Sequence, residues 1–297
     1  FIREAAIDPH VTTIKMTLYR VANYSMVANL LINAAKNGKK VVAVVELQAR
    51  FDEESNIYWA KKMQEEGVSV IYGVQGLKVH SKLCLITRVK KDVRTRYVNL
   101  SAGNFNEKTS QIYSDTALFT ADERLTYESN KAFQFFQNNF KVYNFKHLIV
   151  SPHQSRIKFY ELIDQEIEHA RKGKEAAIFA KMNSLVDTEM IDKLYLAAES
   201  GVKIRLIVRG ICSIIPELEN LKGNIEIISI VDKYLEHSRI FIFHNKGKKK
   251  YYLSSSDWMQ RNLDFRVEIT FPIYAESQQA ELDFFMENQW NDNTKSR

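Results

Sequence analysis

Leu77-Lys78-Val79-His80-Ser81-Lys82-Leu83-Cys84-Leu85-Ile86 and Tyr234-Leu235-Glu236-His237-Ser238-Arg239-Ile240-Phe241-Ile242-Phe243 carry one pattern twice, 157 positions apart. Each places His-Ser-basic at the head of an apolar run short enough to be a strand. Reading outward, each run leads through a basic hairpin connection, Arg88 to Arg96 in the first copy and Asn245 to Lys250 in the second. The next strands, Tyr97 to Phe105 and Lys250 to Trp258, both lead into stretches rich in Ser, Asn or Asp. Asp115 then lies 11 positions after Asn104, and Glu268 lies 11 after Asp257. Upstream, Ser25 to Asn37 has helical apolar spacing, Gly38 stops it, and Val41 to Leu47 reads as a buried strand. Met190 to Ser200, Gly201 and Lys203 to Val208 repeat that order, and Gly67 with Val68 to Tyr72 is echoed by Gly223 with Asn224 to Ser229.

One fold therefore occurs twice. Helical stretches alternate with β-branched runs, so the class is α/β, in two tandem domains related by internal duplication. The boundary falls near Phe145 to Pro152, giving residues 1–148 and 149–297. The 297 residues allow two ordinary cores, and 45% apolar with 26% charged residues excludes a disordered tail. No apolar run approaches the roughly 20 residues that span a bilayer. Cys84 and Cys212 read as buried free thiols of a reducing compartment, so the expected location is the cytoplasm. The chain opens on Phe1-Ile2-Arg3 and is expected to be a fragment. Positive charge is concentrated in residues 1–148, with 21 Lys and Arg against 14 Asp and Glu, whereas the remainder has 21 against 22. An anionic partner for the first half fits that asymmetry, as does a solvated surface.

On a strand, residues two apart share a face, so His80 points with Lys82 and His237 with Arg239. A neutral imidazole is a nucleophile at physiological pH, and a neighbouring cation both attracts phosphate and disfavours imidazolium. A single His-x-Lys is weak evidence, whereas two copies at matching repeat positions point to one site served by both histidines, with chemistry at phosphorus. Asp115 and Glu268 are candidate acceptors that orient each imidazole through its second nitrogen. Zinc-ligand spacing is missing, and so are a Walker loop and a kinase-type glycine-rich loop.

The duplicated His-x-basic motif resembles the phospholipase D superfamily, although Thr87 and His244 stand where an Asp usually follows the basic residue. The chain is still more similar to the bacterial polyphosphate kinases of the phosphohistidine type. The likeness runs through FIREAAIDP (1–9), IKMTLYRV (14–21), VELQARFDEE (45–54), VHSKL (79–83), LSAGNFNEKTSQIY (100–113), His237 with Arg239, and SSSDWMQRN (254–262). It covers essentially the whole chain and corresponds to the two carboxyl-terminal catalytic domains of that family.

The resemblance implies ATP:polyphosphate phosphotransfer through a phosphohistidine at His80, with His237 contacting the nucleotide phosphates. It implies ATP contacts at Tyr113 and Arg209, and a magnesium and phosphate site at Arg20 and Arg50 that works through phosphates carrying Mg2+. ATP or ADP and polyphosphate are the implied partners, with a homo-oligomer for the full-length protein, no nucleic acid and no transmembrane segment; peripheral membrane association is compatible. The family's amino-terminal part, with a further ATP contact, has no counterpart here, so weak activity is expected of the isolated chain. The rival readings are a phospholipase D-like phosphodiesterase or nuclease, which needs no ATP, and a non-catalytic polyanion-binding module.

Overall fold

The central strand of the first repeat, Val11–Leu18, buries Ile14, Met16 and Leu18 and takes partners of opposite sense on its two sides. Lys40–Val45 runs parallel to it, and Ser69–Tyr72 parallel to that. On the other side Lys82–Lys90, Val93–Ser101 and Ala117–Thr120 follow in antiparallel order. Parallel neighbours need a crossover, and the helices Met26–Lys36 and Glu53–Glu65 supply it. Ser25 caps the first of these through Ala28 N at 3.1 Å, and Gly38 leaves it at φ +77°, a conformation that glycine adopts without strain. Leu31, Ile32, Trp59 and Met63 from these helices close over Ile14 and Met16 as one core.

The structure is a computed structural model and describes residues 1–296. Contacts divide the chain into one unit of Phe1–Ile112 with Thr116–Leu148 and a second of Tyr113–Asp115 with the chain from Ile149 onward. The second unit repeats the first strand for strand: Ile225–Ile228, Lys203–Val208, Ala177–Met182, Arg239–Phe243, Lys250–Ser254 and Ile269–Pro272, with Ile149–Val150 added at the edge. Its core is more aromatic. Phe241 stacks on Trp258 with centroids 5.0 Å apart, and Phe159 meets the same indole edge-on at 5.3 Å.

Register makes the duplication residue-specific. Met16 faces Cys84, as Ala180 faces Phe241, and Leu18 faces Val45, as Met182 faces Val208. Since His80 and His237 each stand two residues ahead of equivalent strands, Thr17 corresponds to Lys181, Tyr19 to Asn183, and Glu46 to Arg209. Both cysteines are free, but one expectation is corrected. Cys84 is buried, which pushes its thiol up to about 12, whereas Cys212 is only half-buried because the apolar run ends at Val208 and Cys212 lies in the loop beyond Gly210.

Arg156, on helix Ser155–Arg171, ties the second unit together. Its guanidinium meets both oxygens of Asp187 at 2.7 and 2.8 Å and both of Asp264 at 3.1 and 2.6 Å. Asp187 in turn caps the helix Thr188–Glu199 through Met190 N. Its side chain is only 4% exposed, so Arg156→Ala strands a buried carboxylate and should lower stability by about 3 kcal/mol in urea titrations. Burial raises the Asp187 pKa, but the Arg156 hydrogen bonds outweigh it and hold the group below its ordinary value. That stabilisation is complete above the unfolded carboxyl pKa of about 3.9 and is lost as pH falls through the lower folded value. The gap between parent and variant should therefore be full at neutral pH and shrink in acid.

Candidate active site

Two histidine centres stand at the heads of equivalent strands, one in each unit. In the first, His80 is 7% exposed and Lys82 3%. Lys82 Nζ lies 3.0 Å from both ring nitrogens of His80 and 2.5 Å from its carbonyl oxygen. One ammonium cannot lie in the ring plane on both lone pairs at once, so it sits against the imidazole face. Tyr19 stands edge-on to the ring at 4.5 Å.

The backbone around His80 is held by groups that the motif alone does not single out. Thr17 Oγ1 donates to Ser81 O at 2.7 Å and accepts from Leu83 N at 2.9 Å, filling the gap where the ladder opens. Buried Glu46 accepts from Val79 N at 2.8 Å and from Gln48 N at 2.9 Å. Arg20 and Arg50 follow the carboxyl ends of two adjacent parallel strands, the usual ligand edge of such sheets. Arg20 Nε is 3.3 Å from Asp52, its Nη2 donates to Arg50 O at 3.4 Å, and the Arg50 guanidinium lies 4.8 Å over Phe51.

In the second centre His237 is held from both sides. Its Nδ1 lies 2.6 Å from Asp115 Oδ1, and its Nε2 lies 3.1 Å from Arg239 Nη1. A guanidinium only donates, so Nε2 must accept and Nδ1 must carry the proton given to Asp115. The imidazole is thereby held as the neutral tautomer with its lone pair on Nε2. Arg239 is locked in turn by Asp257, at 3.2 Å to each carboxylate oxygen, and by His237 O at 2.8 Å. Tyr113 tilts over the His237 ring at 4.9 Å.

The segment Tyr113–Asp115 reaches this position by pairing Tyr113 with Leu235 and Ser114 with Glu236, and by accepting from His237 N at Ser114 O. Arg209 donates through Nε to Asn183 Oδ1 at 2.5 Å. Burial, then the neighbouring charge of Arg239, lower the Arg209 pKa, though not enough to remove a guanidinium's charge. Lys181, only 2% exposed, pairs with Glu236, which Gln289 also contacts at 2.8 Å. Burial depresses the Lys181 ammonium despite that partner.

Of the expected residues, the second centre gathers Tyr113, Asp115, Arg209, His237 and Arg239. The first gathers His80 and Lys82, with Arg20 and Arg50 in the loops beside that strand edge. Glu268 is fully buried, accepting from Ser255 Oγ at 2.5 Å and from Asn262 Nδ2 at 2.7 Å. Thr17, Glu46, Lys181 and Asn183 were missed; their signal lay in the strand register between repeats, which single motifs do not show. Arg20 and Arg50 present cations, which cannot ligate Mg2+, and among the described residues no group of three or more His, Cys, Asp or Glu is placed to hold a metal ion.

Two copies of a sheet with three parallel strands followed by antiparallel ones, each carrying His-x-basic at the same strand head, define a duplicated phospholipase D-like α/β fold. Phosphatidylserine synthase from Haemophilus influenzae Rd KW20 shares that fold, with a TM-score of 0.62 over 100% of this chain and 84% of that one at 12% identity. The chain belongs to the polyphosphate kinase family: residues 1–142 match the family's C-terminal domain 1 and residues 148–297 its C-terminal domain 2. A polyphosphate kinase from Yersinia pestis is 49% identical over 296 residues, which cover 100% of this chain and 43% of the relative. The crystal structure of polyphosphate kinase from Porphyromonas gingivalis matches with a TM-score of 0.90 at 40% identity, over 99% of this chain and 48% of that one. This chain thus spans less than half the length of either relative. The family read from the motifs and the tandem phospholipase D-like fold are both borne out.

Proposed function

We propose that the chain is the catalytic part of an ATP:polyphosphate phosphotransferase that works reversibly through a phosphohistidine. The observation that carries this reading is the pair of cation-flanked histidines at equivalent positions of a polyphosphate kinase chain. In the first step an imidazole nitrogen of His80 attacks the γ-phosphorus of ATP, the bond from phosphorus to the bridging oxygen breaks, and ADP leaves with that electron pair. In the second step a terminal oxygen of polyphosphate attacks the same phosphorus and the P–N bond breaks, restoring neutral His80. Dividing the transfer lets one nucleophile serve two phosphate substrates in turn.

The His237 centre supplies phosphate binding and proton handling at Nε2, and Arg209 supplies positive charge for the phosphoryl oxygens. A single arginine in such a role is worth about 10³ to 10⁵ in rate. Glu268, related by the repeat to Asp115, belongs to the same machinery in this reading. Magnesium enters with the nucleotide as part of the substrate. The reading includes a cytoplasmic homo-oligomer, which the two free thiols suit and which light scattering of the intact polypeptide tests. Among the described residues no helix is long and apolar enough to cross a membrane.

The test is chemical. Incubation with γ-labelled ATP should leave an acid-labile, base-stable label that peptide mapping finds on His80. A label that survives His80→Ala would overturn the assignment, and diester cleavage without nucleotide would favour the phosphodiesterase instead.

A further inference from the structure

We infer that Asn183 is a phosphate-binding residue of the His237 centre, setting Arg209 through its side-chain oxygen and giving its side-chain N–H to an anionic ligand oxygen. The inference rests on the phosphotransferase reading and adds to it a residue and a role.

The amide orientation is determined chemically. Arg209 Nε can only donate, so the atom 2.5 Å away must be Asn183 Oδ1, and Nδ2 faces the other way. Asn183 is 5% exposed, and its Nδ2 is buried without a hydrogen-bond partner among the described residues. A buried donor left unsatisfied costs about 1–3 kcal/mol, so an unpaired amide inside a polar cluster is accounted for when a ligand completes it. The cluster selects the ligand's charge. The same residue's N donates to Asp257 Oδ1 at 2.8 Å, and Asp257 is the carboxylate that locks Arg239 against His237. Arg209 thus rests on the Asn183 side chain and Arg239 on the Asp257 that the Asn183 backbone contacts, and an anionic oxygen is the partner that all three donors suit.

The main chain shows that the position is built. Asn183 O accepts from Gly210 N at 2.8 Å, and a Cβ on residue 210 would come within 2.6 Å of that oxygen. The residue after Arg209 must therefore be glycine for the two strand ends to approach this closely. The repeat supplies a separate argument. Asn183 holds the position of Tyr19, whose ring stands against His80; in the second unit the residue there contacts Arg209 and, through its backbone N, the Asp257 that holds Arg239. An aromatic edge stands against His80 at that position, while an amide there adds a donor next to Arg209.

The experiment titrates the chain with inorganic tripolyphosphate by calorimetry, using the parent, Asn183→Ala, Asn183→Asp, Arg209→Ala and the Asn183→Ala/Arg209→Ala double variant. Asn183→Ala should weaken binding about tenfold or more, the strength of one charge-assisted hydrogen bond. The double variant should lose less than the product of the two single losses, because Asn183 acts partly through Arg209. Asn183→Asp keeps an acceptor for Arg209 but has no N–H, so it should bind no more tightly than Asn183→Ala. It is also the near-isosteric variant if the alanine form melts early. Affinity within twofold of the parent for Asn183→Ala, or parental affinity for Asn183→Asp, would overturn the proposal. Failure of the phosphohistidine reading shows up separately, as loss of the His80 label with tripolyphosphate binding and its dependence on Asn183 intact.

Discussion

Replacing His80 by alanine should lower ATP-dependent phosphotransfer by about 10⁵-fold or more in the intact enzyme, with little change in the thermal melt. An effect of this size belongs to a covalent nucleophile, whose removal leaves only binding and electrostatic stabilisation to accelerate the reaction. The environment of His80 supports a loss confined to chemistry. Its ring packs against Tyr19 and the Lys82 ammonium, while the surrounding backbone is held by Thr17 and Glu46, which the substitution leaves in place. Nucleotide affinity measured by calorimetry should accordingly change far less than turnover. A residual rate above one-hundredth of the parent would remove His80 from the covalent role.

The second large effect is expected from Asp115→Asn, about 10² to 10⁴ in kcat, by loss of the correct imidazole tautomer. An asparagine presenting its N–H to Nδ1 would move the ring proton to Nε2. There it would meet Arg239 Nη1, which cannot accept, leaving two donors about 3.1 Å apart. The ring must then protonate fully, turn away or break its contact with Arg239, and in each case Nε2 loses its directed lone pair. Asp115→Glu, which keeps a carboxylate acceptor, should retain more activity than Asp115→Asn. If the two variants are equally impaired, Asp115 acts by its shape and packing and not by holding the tautomer. The His237 ring resonances in NMR report the tautomer directly, without reference to turnover.

The repeat itself was legible in the sequence because it rests on local physics. Helical spacing ended by Gly38 or Gly201, short apolar runs and His-Ser-basic at matching offsets are visible within windows of ten to fifteen residues. Strand alternation suggested His80 with Lys82 and His237 with Arg239, and these side chains do meet, although both histidines stand just ahead of the strands and not within them. Asp115 and Glu268 were recognised as equivalent carboxylates, but which histidine each serves was left open, since a duplicated sequence makes its two halves formally alike. Asn183 and Lys181 carry no motif, and their places emerge only when Met16 and Ala180 are aligned through their strand partners.

The sequence by itself determined an α/β chain built twice, with a cation two residues after a histidine at each strand head. Periodicity and backbone alternation require no knowledge of distant neighbours. Tertiary structure alone decided that Tyr113–Asp115 joins the second unit and that Asp115 holds His237, a partner 122 positions away. It decided as well that equivalent positions were put to different uses, Glu46 holding backbone and Arg209 presenting a guanidinium beside a buried amide. Such assignments depend on strand pairing and desolvation, which arise from contacts between segments far apart in the chain and leave no periodic trace along it.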